Sequence, residues 1–174
     1  MSFKKIKLKK PKKEKKSMEK AMLKLHEFFS LSAELEGVTN QQTGEVLAKG
    51  LLSEKLKLTT KYWLSDLATR ALTERNAIDK LKEDLIKKYG TADETGNVSI
   101  PMWINIVMDE ETLKIVSRDP NPVFTEFQND FNALLNEERE LSHHAFKLAE
   151  FENIETEGVY NTFFKLLKVE EASN

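Results

Sequence analysis

The sequence contains no cysteine. That excludes disulfide frameworks, thiolate zinc sites and cysteine nucleophiles together, and it fits a reducing compartment. Glycine is sparse, with only six in 174 residues. Neither a Walker loop nor a G-x-G-x-x-G stretch is present, so loops that cradle phosphates in that way are excluded. The three histidines are His26, His143 and His144, and no two lie four residues apart. An i, i+4 histidine pair for a metal is therefore missing, and neighbouring histidines on an extended segment point to opposite faces. Apolar runs are short, none approaching the ~20 residues needed to cross a bilayer. The N-terminus does not read as a secretion signal, because its lysines lead into an amphipathic pattern rather than an apolar core segment.

What is present is charge, and it is divided unevenly. Residues 1–16 carry nine lysines and one glutamate, while the remaining 158 residues carry 18 basic and 28 acidic side chains. The formal net charge of −2 thus averages a leader of +8 and a body of −10. In the leader, Phe3, Ile6 and Leu8 alternate with lysines and Pro11 interrupts the run. Mutual repulsion and the missing core stripe predict an extended arm. The chain length suits one domain with a proper core.

Beyond the arm, helical spacing dominates. Ser17 is a candidate cap, and apolar residues from Met18 to Leu35 recur at helical intervals before Gly37, predicting a helix over 18–36. "EVLAKGLLSEKLKL" suggests a short helix through 45–53. Leu64, Ala71, Ile78 and Leu85 recur every seven residues, with Leu67/Ala68 and Leu81 between them, predicting a helix over 59–89. The stretch between 97 and 117 reads as a small inserted β-hairpin. A helix over 122–138 would bury Phe124, Phe127, Phe131 and Leu134/Leu135. "HAFKLAEFENIE" reads as a strand or extended segment. A last short helix would turn Val159, Phe163 and Leu166/Leu167 inward, and residues 171–174 would fray. The expected fold is mainly α: a helical bundle around the long helix 59–89, with residues 17–170 as one domain.

The stretch "LIKKYG" followed by "DETGN" (residues 85–90 and 93–97), together with "FNALLNEE" (131–138), resembles a shared pattern. It is that of small, mostly uncharacterised helical proteins of tailed bacteriophages and prophages. The likeness spans residues 58–101 and 123–142. The lysine arm and "MWINIVMDEETLKIVSRD" depart from that pattern. The resemblance implies a phage setting and carries no catalytic residues; the expected location is the virion, assembled in the cytoplasm of a bacterial host.

Carboxylates are plentiful, yet their spacing shows no convergence on a cleft, and "DETGN" lacks the remaining ligands of a calcium loop. The expectation is therefore no enzyme, no cofactor, no metal, no membrane and no small-molecule substrate. The candidate contact residues are Lys4, Lys5, Lys7, Lys9, Lys10, Lys12, Lys13, Lys15 and Lys16, with Ile6 and Leu8 as apolar anchors. Three readings of the arm stay open. It could contact nucleic-acid phosphates without base reading, dock as a strand on an acidic protein neighbour, or merely solubilise. The expected role is a structural or assembly component of a phage particle, such as a capsid, portal or neck accessory or a packaged protein. Its partners would be other phage structural proteins, with non-specific DNA contact through the arm. The alternative is a nucleic-acid-binding or host-interaction module outside the particle.

Overall fold

Leu23 and Leu25 are both buried although they lie two residues apart. Residues so spaced on one helix face nearly opposite sides, so no single surface helix can hide both. The chain resolves this by changing period. Strand β1 (Met18–Lys24) turns Leu23 inward, and helix α1 (Leu25–Glu36) begins immediately after it. The structure is a computed structural model that describes residues 18–152, 154 and 158–168. The carboxylate of Glu27 accepts the Lys24 backbone N–H at 2.8 Å and so closes the first turn of α1.

Sequence order continues with β2 (Gly37–Thr39) and β3 (Val46–Lys49), then a 3-10 turn over Leu51–Ser53 and the long helix α2 (Leu58–Tyr89). Strands β4 (Thr91–Ala92) and β5 (Val98–Ser99) follow, then β6 (Trp103–Met108) and β7 (Ile115–Pro120). Helix α3 (Pro122–Leu135) leads into β8 (Glu138–His144), β9 (Phe146–Lys147), the one-turn helix α4 (Asn161–Phe164) and β10 (Leu167–Lys168). Among the described residues the strands form five separate two-stranded sheets, of which β9–β10 is parallel and the other four are antiparallel.

The expected mainly α bundle is therefore corrected to an α + β fold. Among the described residues, four helices with the short 3-10 turns account for 46% and strands for 28%. Three sequence expectations gave way for identifiable reasons. The 18–36 helix is half strand, because Glu138–His144 supplies an antiparallel partner along the whole of β1. The 122–138 helix stops at Leu135, where Asn136 and Glu137 turn the chain into that same strand. The helix proposed over 45–53 is β3 plus a 3-10 turn, since Val38 and Ala48 pair across a ladder with β2. That ladder depends on two glycines in contact. A Cβ on Gly50 would overlap the backbone of Leu35, Glu36 and Gly37, and Gly37 itself sits at a φ of 88°.

The core lies where α1 crosses α2. Leu25, Phe28, Leu31 and Leu35 meet Leu64, Leu67, Ala68, Ala71 and Ile78, and Leu23 and Leu141 close the flank. Leu81, expected inside, is exposed, because the outer half of α2 runs past the main core. That outer half meets α3 instead, through Tyr89, Phe124, Phe127 and Phe131. The C-terminal segment folds back on α1: the Glu34 carboxylate accepts the backbone N–H groups of Thr162 (3.0 Å) and Phe163 (2.7 Å). Val159, expected inward with Phe163, is exposed.

Candidate interaction surface

Every contact residue expected from the sequence, from Lys4 to Lys16 with Ile6 and Leu8, lies outside the described residues. What the structure adds is a second surface, the β6–β7 hairpin. Its strands run Trp103 opposite Pro120 to Met108 opposite Ile115, with register shifts on both sides of Val107. Along it Ile106, Val107, Met108, Leu113, Ile115 and Val116 are all at least half exposed, Leu113 at 73% and Val116 at 67%. An antiparallel ribbon normally hides one face on a core and shows polar residues on the other. Here "NIVM" and "LKIV" put apolar side chains on a ribbon with no covering layer among the described residues. Contiguous apolar surface of that kind marks an interaction site.

The hairpin is nevertheless well built. At its tip the Asp109 carboxylate accepts the N–H groups of Glu111 (3.1 Å) and Thr112 (2.7 Å) and the Thr112 hydroxyl (2.7 Å). These bonds, the hydroxyl's first, hold Asp109 below the usual carboxylate range. Glu110 and Glu111 leave an acidic crest beside Leu113. Nearer the base, the Arg118 guanidinium lies 4.0 Å from the Trp103 ring centroid.

One buried side chain fixes this hairpin to the body. Asn121 accepts the Val123 N–H at 3.0 Å as the N-cap of α3, and its side-chain amide donates to the Pro101 carbonyl at 2.7 Å. Its backbone N–H donates to the Met102 carbonyl. Asn121→Ala removes a cap and leaves the Pro101 carbonyl without its side-chain donor. The expected cost is about 1–2 kcal/mol in urea denaturation, with faster amide exchange across residues 101–121.

Helix α3 is held in turn by the end of α2. The Tyr89 hydroxyl donates to Asp130 at 2.6 Å and the Lys88 ammonium at 3.0 Å, and these partners, Tyr89 first, keep Asp130 below the usual range. In the β4–β5 turn Asp93 is depressed likewise, by the Thr95 hydroxyl and then the Asn97 N–H. A carboxylate whose folded pKa is depressed stabilises above its ordinary pKa and loses that contribution as pH falls towards the folded value. Acidification below about pH 4, towards the depressed folded values, should thus loosen both turns and the α2–α3 contact before the main core. Amide-exchange protection factors, each taken against the intrinsic rate at its own pH, read this: lower protection at pH 3 than at pH 7 in 91–135 and at the first turn of α1, where Glu27 is depressed too, with the rest of the α1–α2 core unchanged, is the expected result.

His26 Nδ1–H donates to the Leu135 carbonyl at 3.1 Å. His143 is buried rather than on the surface, and its Nδ1–H donates to the His144 carbonyl. The His144 ring stacks on Trp63, 4.6 Å between centroids. No group of three or more histidines and carboxylates suited to a metal occurs among the described residues, nor does a helix long and apolar enough to span a membrane. No family model, curated protein or solved structure matches the chain.

The sequence reading recognised a hairpin here and missed its meaning. The available signal was the lack of period-two alternation in "INIVM", which says that neither face of the ribbon was chosen for water.

Proposed function

We propose that this chain is a non-enzymatic structural or assembly component of a bacteriophage particle, acting through protein–protein contacts. The exposed apolar hairpin carries the reading: it is a rigidly based projection whose side chains have no covering partner among the described residues. The phage setting is supported by the sequence resemblance, and the assembly role by the combination of that hairpin with the nine-lysine leader. The lysines suit an acidic protein surface or packaged DNA. They favour, as the second reading, a module that binds nucleic acid outside the particle.

Quantitative mass spectrometry of purified particles separates the two. Presence at a fixed stoichiometry to the major head or tail proteins supports the assembly role. Absence from the particle, with DNA affinity that falls steeply with salt, supports the second.

A further inference from the structure

The two unassigned features fit one another. A lone two-stranded hairpin is marginal in water, and both of its outer edges present unpaired backbone groups. Each strand carries one extra residue in the ladder, β6 between Ile104 and Val107 and β7 at Val116, and β6 is distorted further at Asn105, whose φ is +50°. On β7 the edge runs through Ile115–Pro120, flanked by the exposed Ile115 and Val116 and, at the tip, by Asp109, Glu110 and Glu111. The leader offers the complement. In "KKIKLKK" Ile6 and Leu8 recur at strand spacing with lysines between and around them. Such a strand shows one apolar row to the ribbon and holds cations near the acidic crest.

Chain length decides whose hairpin it reaches. Met18 pairs with His144, and the His144 ring lies on Trp63 near the start of α2. From Trp63 to Tyr89 the helix rises about 39 Å. Phe127 of α3 packs on Tyr89, and Phe131 receives Lys82 one α2 turn or two further back, so α3 runs antiparallel to α2. The hairpin base at Asn121 is thus beyond Tyr89, by about 9 Å of further helix. Fully extended, Leu8 at ten residues from Met18 reaches at most about 33–36 Å and Ile6 at twelve residues about 40–43 Å. Both apolar anchors fall short of the base of their own hairpin.

We infer that β7 of one copy receives residues 4–9 of a second copy as a third strand, so that copies join head to tail. This rests on the assembly reading and names the partner that the hairpin meets first. The contact is heterologous: each copy donates one arm and offers one hairpin, which builds rings or open chains rather than a two-fold dimer.

Sedimentation velocity on the full chain and two variants tests it. The arm variant Ile6→Asp/Leu8→Asp keeps its hairpin, and the hairpin variant Ile115→Asp/Val116→Asp keeps its arm. Wild type should associate with rising concentration, and each variant alone should remain monomeric. An equimolar mixture of the two should give a one-to-one dimer and nothing larger, because only one arm–hairpin pair is intact. A third variant, Glu110→Lys/Glu111→Lys, changes only exposed crest residues. It should weaken association about tenfold, the size expected for two exposed charge pairs.

A mixture that stays monomeric overturns the inference, as does either double-Asp variant associating like wild type. A wild-type chain that is monomeric at every concentration, yet stoichiometric in particles, overturns the inference and leaves the assembly role standing. Self-association through the arm with absence from particles does the reverse.

Discussion

Phe163→Ala should destabilise the protein by about 3–5 kcal/mol, the range for removing a fully buried phenylalanine, and lower the melting temperature by roughly 10 °C for a chain of this size. Phe163 is 1% exposed and sits at the meeting point of the C-terminal segment and the body. Its ring lies 5.5 Å from Phe146 and 5.2 Å from Phe151, both in edge-on geometry. Its backbone N–H is one of the two held by Glu34. The loss therefore combines buried area, paired aromatic edges and a clamp on α1. Calorimetry measures it. A change below about 1 kcal/mol would mean that residues 158–168 do not pack as described.

Polarising the hairpin should do the opposite. Ile115→Asp/Val116→Asp touches side chains already half exposed or more, and surface substitutions of that kind stay within about 0.5 kcal/mol each. The melting temperature of the body should hardly move, while association through the hairpin is lost outright. This contrast between a silent fold and an abolished contact distinguishes a docking surface from a structural one. A large fall in melting temperature on this variant would show that the hairpin is part of the fold's support.

How much of this was legible beforehand can be argued residue by residue. Leu64, Ala71 and Ile78 marked the inner face of α2 correctly because the pattern is long, uninterrupted and satisfied by one neighbour, α1. Phe127 and Phe131 marked α3 for the same reason. The stretch 18–24 defeated periodicity because "MEKAMLK" serves either period: Ala21 and Leu23 alternate as a strand requires, and Met18, Ala21/Met22 and Leu25 fit a helix. What decides is a partner strand 114 to 126 residues away, and local spacing carries no trace of it. Leu81 failed for a related reason. Helical spacing says which side of a helix is apolar but not where along its length the neighbour ends.

The candidate surface was half legible. The lysine leader is evident from charge alone, whereas the hairpin's value comes from something only a structure states, that nothing among the described residues covers it. Asn121 escaped notice altogether, since "DPNPVF" reads as an ordinary helix start. Its second bond, to Pro101, is what turns a cap into an anchor.

The assembly role rests on the hairpin as the contact surface. The decisive measurement is competitive incorporation: wild type and the Ile115→Asp/Val116→Asp variant are produced together during particle formation, and their ratio is read by mass spectrometry in the lysate and in purified particles. The variant should be depleted at least about tenfold in particles, equivalent to 1.4 kcal/mol of lost binding. Equal ratios in lysate and particles would contradict it.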